Sequence, residues 1–151
     1  MRIDTYDDFT PEMLDQYKKW ITFWRRNPAR FVETYLGLNL YLFQAIMITL
    51  MFKFPFVVLL CARAVSKSYT TTIFAVAYCI LYPGSKVLVT SMNKKQASLL
   101  ITEKLQKELM PKSPALRLEI KEIKTGINDT EVFFKNNSSF ITSVSGEGAR
   151  G

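Results

Sequence analysis

A chain of 151 residues holds about one domain, and with 48% hydrophobic and 13% aromatic residues it can bury a core, which excludes a disordered chain. Its formal net charge of +7 fits a polyanionic partner, although charge alone carries no specificity. Histidine is absent and the cysteines are only Cys61 and Cys79, so histidine triads, histidine-ligated zinc, four-cysteine metal sites and a disulfide framework are excluded, and a reducing intracellular setting is expected.

The opening MRIDTYDDF is acidic and polar, without a signal-peptide pattern. Thr10 followed by Pro11 gives a helix start, and Met13, Leu14, Tyr17, Trp20, Ile21 and Trp24 recur at the spacing of one helix face, expected to join the core. Asn27 and Pro28 repeat the start signal. Phe31, Val32, Tyr35 and Leu36 then give the stripe of a short helix closed by Gly37. Leu42 to Phe52 reads as a mostly buried helix whose one polar residue is Gln44. That glutamine is either exposed on the first turn or turned inward, where an amide that both accepts and donates suits an adenine edge. The uncharged run Leu40 to Phe52 is shorter than the roughly 20 residues that cross a bilayer, and Pro55 stops any helical continuation, so no membrane span is expected.

Phe56 to Leu81, FVVLLCARAVSKSYTTTIFAVAYCIL, reads as a buried strand, a short loop and a helix. In such a unit the loop amides and the open end of the helix converge on one spot, which favours an anion. Lys67 can reach the terminal phosphates of a nucleotide there, and the Ser68 hydroxyl can join the shell of a magnesium ion. The usual loop pattern is G-x-x-x-x-G-K-[ST], and the aligned residues are CARAVSKS, with Cys61 and Ser66 at the glycine positions. On its own, Ser-Lys-Ser behind an apolar run is more often a solvated turn, so the surroundings decide.

Pro83 and Gly84 end that helix, and Lys86 to Ser91 reads as the next buried strand. Asn93 with Gln96 resembles a capping box, and Ala97, Leu100, Ile101, Leu105 and Leu109 form the apolar face of a helix running to Met110. Lys94, Lys95, Lys104 and Lys107 fall mostly off that face, as a solvated surface or, less plainly, a patch for a phosphate backbone. Pro111 to Pro114 make a break. Leu116 to Ile123, Glu131 to Lys135 and Phe140 to Val144 read as strands with turns at Gly126 to Asp129 and Asn136 to Ser138, before a glycine-rich tail. The order predicts an α/β fold with right-handed crossovers.

Four stretches, in this order, resemble the N-terminal part of the ATPase domain of tailed-phage terminase large subunits. NPARFVETYLGLNLYLFQ looks like the entry to that domain, ending in a glutamine like the one that contacts adenine, here Gln44. ARAVSKS is similar to the terminase variant of the phosphate loop, with Arg63 four residues ahead of Lys67. KVLVTSMNKKQASLLITEKLQKEL looks like the following unit, and TEVFFKNNSSFITSVSGEGARG resembles the hairpin and Arg-Gly turn, here Arg150 and Gly151, that lead to the acidic Walker B strand.

The resemblance implies a partial P-loop NTPase sheet of the RecA/ASCE type over residues 38–151, behind an N-terminal helical segment over residues 1–37. It implies ATP and Mg2+ as cofactors, and ATP hydrolysis coupled to translocation of double-stranded DNA into a procapsid. Lys67 would neutralise the β and γ phosphates, and Ser68 would hold the magnesium. The backbone of Ala64, Val65, Ser66, Lys67 and Ser68 would cradle the phosphates, Arg63 would reach the γ-phosphate, and Gln44 would read adenine. Implied partners are double-stranded DNA, the phage portal protein, the terminase small subunit and further copies in a ring, in the host cytoplasm at the procapsid and with no membrane.

Two departures qualify the expectation. Ser66 stands where the family has glycine, which weakens nucleotide affinity. The sequence stops where the acidic strand would begin, and no Asp-Glu pair follows an apolar run, so hydrolysis is expected to be poor or absent. A helicase-type motor would share the glutamine, loop and following strand, and a non-enzymatic basic DNA-binding or assembly module would account for the charge without a nucleotide. A half sheet without its central acidic strand would leave an apolar edge uncovered, so a marginal or aggregation-prone piece is expected.

Overall fold

The computed structural model describes residues 10–62, 65–91, 94–126 and 129–144. Helix α1 (Pro11–Arg26) starts as its sequence predicts: the Thr10 hydroxyl accepts from the Met13 N–H at 3.3 Å, and Pro11 occupies a position where a missing N–H costs nothing. It ends at Asn27, whose N–H donates to Phe23 and Trp24 carbonyls. Helix α2 (Pro28–Thr34) buries Phe31 and Val32, and Gly37 takes the left-handed conformation, φ +67°, that turns the chain towards α3 (Leu42–Lys53).

After α4 (Lys67–Leu81) and strand β1 (Lys86–Ser91), a continuous helical rod comprises α5 (Lys94–Leu99), a π-helix (Leu100–Leu109) and α6 (Met110–Lys112). Short α7 (Pro114–Glu119) leads into β2 (Ile120–Thr125), β3 (Asp129–Phe134) and β4 (Ser139–Val144). The four strands form one mixed sheet in the order β1-β4-β3-β2, with β1 parallel to β4 and the other pairs antiparallel. Alternate residues of β3, Thr130, Val132 and Phe134, are buried, the period-two pattern of a sheet with a covered face, whereas β4, paired on both sides, buries Ser139, Phe140, Thr142 and Ser143. The α/β class is therefore the one the sequence predicts.

Helix α4 lies at the centre, packed against α3, the π-helix, β1 and β4. Its Ile73, Ala75, Val76, Ala77, Cys79 and Leu81 are buried in a core shared with Phe31, Leu36, Ile48, Leu105, Leu109 and Phe140. A helix leaves its last carbonyls without partners in the helix, and here each finds one. The Tyr82 N–H donates to the Tyr78 carbonyl at 2.9 Å. Asn136 Nδ2 reaches the carbonyls of Cys79 (2.8 Å) and Ile80 (3.1 Å), and the Ser138 hydroxyl lies 2.8 Å from that of Cys79. Arg25 Nε donates to the Leu81 carbonyl at 2.9 Å while its guanidinium sits 4.5 Å from the centre of the Tyr82 ring.

Several expectations are corrected. Phe56 to Ala62 belongs to no strand, so the run does not open a crossover into β1. Its side chains alternate, Val57, Leu59 and Cys61 half-buried against the fold, Phe56, Val58 and Leu60 facing out, with Leu60 95% exposed. Apolar β-branched letters specify extended backbone but not a hydrogen-bonding neighbour. The stripe of α1 is not core: no residue of α1 is buried and Trp20 is 61% exposed, because α1 leans mainly on α2 and α4, lining an open aromatic groove. In α3 Gln44 takes the inward of its two placements, and the expectation of a mostly buried helix is corrected: Met47 and Ile48 are buried but Leu42 and Ile46 are exposed. Leu116 to Glu119 is helix, since Ser113 caps the Leu116 N–H at 3.1 Å and Pro114 starts a turn of good helix formers. The preceding rod runs past Met110 to Lys112. β3 begins at Asp129 and ends before Lys135. Of the expected capping box, Asn93 lies outside the described residues, and Gln96 Oε1 accepts from the Ser91 hydroxyl at 3.3 Å.

Two outcomes follow from the capped end of α4. Asn136→Ala strips the Ile80 carbonyl of its side-chain donor and leaves the Cys79 carbonyl to Ser138 alone, and is expected to cost about 1–3 kcal/mol, read from the urea midpoint. Burial pushes the Cys79 thiol from its ordinary 9.0 up to about 12, and its Sγ donates to the Ser139 carbonyl at 3.3 Å. Its contribution to stability is therefore whole below its ordinary value and is lost as pH climbs towards 12. A thiol reagent at mildly alkaline pH is expected to modify half-buried Cys61 in the folded chain, and Cys79 only after denaturation.

Candidate functional site

The head of α4 is built differently from its tail. Before it, Val65 and Ser66 turn the chain, and Ser66 has φ 41° and ψ 24°, in the left-handed region that glycine enters freely and an L side chain enters at about 1–2 kcal/mol. This is the position where the loop pattern asks for glycine, so the backbone keeps the glycine conformation under a serine. The strained turn is anchored, as the Ser66 carbonyl accepts from both the N–H (2.9 Å) and the hydroxyl (3.0 Å) of Thr70. Helix geometry leaves the N–H groups of Lys67, Ser68 and Tyr69 without carbonyl partners in α4, at the positive end of its dipole. The Lys67 side chain folds back across the loop, its Nζ donating to the carbonyls of Cys61 (3.0 Å) and Ala62 (2.6 Å).

A cleft of about 660 Å3 opens at this end. Val65, Ser66, Lys67 and Ser68 form one wall, Tyr41 and Gln44 come from the start of α3, and Lys104, Glu108 and Lys112 come from the helical rod. Gln44 is only 2% exposed, and its Oε1 accepts from the Tyr41 N–H at 2.9 Å, which fixes the amide and leaves Nε2 as the donor end. Tyr41 is 71% exposed and stacks on Phe43, with ring centres 6.0 Å apart and planes at 5°. A second hollow of about 620 Å3 adjoins the first, sharing Lys67, Ser68, Lys104 and Glu108 and adding Thr71, Ser91 and Glu103.

Charge in the cleft is mixed. Lys104 pairs with Glu108, and Lys107 with Glu103 at 2.6 Å. Burial first, and then the Glu108 carboxylate, hold the Tyr69 phenol above its usual value. Among the described residues no group of three or more acidic, cysteine or histidine side chains could hold a metal ion. Beside Lys67, the exposed Ser68 on the first turn of α4 carries a hydroxyl that could join the shell of a cation. No helix of the described residues is long and apolar enough to cross a membrane.

Of the residues singled out from the sequence, Gln44, Val65, Ser66, Lys67 and Ser68 line one cleft although more than 20 residues separate the first from the rest. Arg63, Ala64, Arg150 and Gly151 lie outside the described residues. Sequence reasoning missed Tyr41, Glu108 and Lys112, and read Lys104 as solvated surface or, less plainly, a patch for a phosphate backbone. Tyr41 carried a faint signal, an aromatic one turn ahead of Gln44; for the rod residues it is the packing of the rod against α4 that brings them to the cleft. No protein-family model matches the chain, and no curated protein matches it.

The turn at Ser66 makes a direct prediction. Ser66→Gly is expected to raise stability by about 1 kcal/mol by removing the left-handed penalty, and Ser66→Val, branched at Cβ, to lower it by about 1–2 kcal/mol, in urea unfolding.

Proposed function

We propose that these residues form the ATP-binding part of a DNA-packaging ATPase of the terminase large-subunit type, on a partial P-loop NTPase fold. The observation that carries the reading is the cleft at the head of α4, where Gln44, the left-handed turn at Ser66, Lys67 and Ser68 meet around helix amides that have no carbonyl partner in α4. Its volume of about 660 Å3 lies in the range of small-molecule sites.

In this reading the N–H groups of Lys67, Ser68 and Tyr69 donate to phosphate oxygens, and the helix dipole favours their charge. Lys67 exchanges its two carbonyl partners, Cys61 and Ala62, for the β and γ phosphates, so the resting lysine is held beside the site at little cost. Gln44 Nε2 donates to the acceptor edge of adenine, and the Tyr41–Phe43 stack offers a flat wall for the base. By resemblance, Arg63 would meet the γ-phosphate. Bound ATP with Mg2+, held by Ser68, would supply the phosphoanhydride whose cleavage drives translocation. The sequence has no Asp-Glu pair behind an apolar run, so turnover by these residues is expected to be slow or absent.

Double-stranded DNA, the portal protein, the small subunit and a ring of copies are the partners this reading carries, and the charge of +7 supports the polyanion among them. The test is titration with a fluorescent ATP analogue and magnesium, beside Lys67→Ala and at two salt concentrations. Saturable binding weakened about tenfold or more in the variant is expected, since a charge-assisted contact is lost. No binding by a folded chain would overturn the reading. Salt-sensitive DNA binding that ignores ATP and survives Lys67→Ala would favour a basic DNA-binding module instead.

A further inference from the structure

The helical rod supplies a wall of the cleft that the phosphate-loop pattern does not describe. Along it, Ile101, Leu105 and Leu109 are buried at a spacing of four, and the residues just before Leu105 and Leu109, Lys104 and Glu108, continue at the same spacing to Lys112. All three line the cleft with Lys67. The π-helical bonding, in which Met110 N–H reaches back to the Leu105 carbonyl, widens the turn and keeps residues four apart on one side. One cleft therefore holds three ammonium groups and one carboxylate, a net charge of +2 contributed from two elements, α4 and the rod.

The arrangement of the pairs points the same way. Glu103 precedes Lys107, the order that stabilises a helix, whereas Lys104 precedes Glu108, the reverse and weaker order. The Lys104 and Glu108 side chains are 33% and 38% exposed, so the pair sits in the mouth of the cleft, where an anion can compete for the lysine. Lys104 and Glu108 also line the adjoining hollow, beside Lys67 and Ser68.

We propose that Lys104 and Lys112 are a second phosphate-binding pair that makes the cleft select a triphosphate chain over a monophosphate, and that Glu108 holds Lys104 until the chain displaces it. The proposal rests on the nucleotide reading above and adds its selectivity. Glu108 acts through Lys104 as a positioning residue, and neither lysine is asked to touch the base.

The experiment measures binding of ATP and ADP with magnesium, AMP, and inorganic triphosphate to the full chain, to Lys104→Gln/Lys112→Gln, to Glu108→Gln and to Lys67→Ala, with circular dichroism as the check on folding. The double variant is expected to lose about tenfold in affinity for ATP and triphosphate while AMP changes less than about twofold, and Glu108→Gln to tighten ATP by about threefold, since a like charge leaves the cleft. Equal losses for AMP and ATP, or an unchanged ATP affinity in the double variant while Lys67→Ala still abolishes binding, would overturn the proposal and leave the nucleotide site standing. No nucleotide binding by the wild-type chain would remove both.

Discussion

The carbonyls that end α4 cannot be satisfied within the helix, and their satisfaction ties the layers of the fold together. Asn136 and Ser138, from the turn joining β3 to β4, hold the carbonyls of Cys79 and Ile80, and Arg25, from α1, holds that of Leu81. One helix end thus fastens the sheet, the N-terminal helices and the core to a single axis. At the head no side-chain cap is made by Ser66, so the first N–H groups have no carbonyl partner in α4, and the positive end of the dipole of a 15-residue helix faces a cleft.

The head is strained where the tail is satisfied. Ser66 holds a left-handed backbone that its side chain opposes, and Thr70 keeps it there with two hydrogen bonds to one carbonyl. Lys67 donates to the carbonyls of Cys61 and Ala62, an arrangement that holds its positive charge at the head of α4. Gln44 is similarly prepared: buried, with one end of its amide fixed by the Tyr41 N–H. Strain and pre-set polar groups of this kind belong to sites more than to structural turns.

Local chemistry was legible in the sequence where it acts over a few residues. Thr10-Pro11 begins α1, Asn27-Pro28 begins α2, and Lys86 to Ser91 is a strand with the boundaries its letters suggest. The loop and Gln44 were legible as candidates because their chemistry depends on residue type, and the structure brings Gln44 and Val65 to Ser68 to one cleft. What failed depends on neighbours. Phe56 to Leu60 has the letters of a buried strand, yet no strand lies beside it among the described residues. Trp20 has the spacing of a core residue, but α1 has too little to pack against. Leu116 was read through the strand that follows, whereas Ser113 and Pro114 start a helix first. Lys104 and Glu108 look like solvated surface until the rod is laid along α4, which no local pattern announces.

The central claim is that the open head of α4 receives a nucleotide's phosphates while Gln44 receives its base. It is tested most directly by following amide resonances of the isotope-labelled chain as ATP and magnesium are added. The account predicts large shifts confined to the backbone of Val65 to Tyr69, the side-chain amide of Gln44 and the backbone of Tyr41, with the tail of α4 unmoved. Shifts spread weakly over surface lysines, with those amides silent, would contradict it.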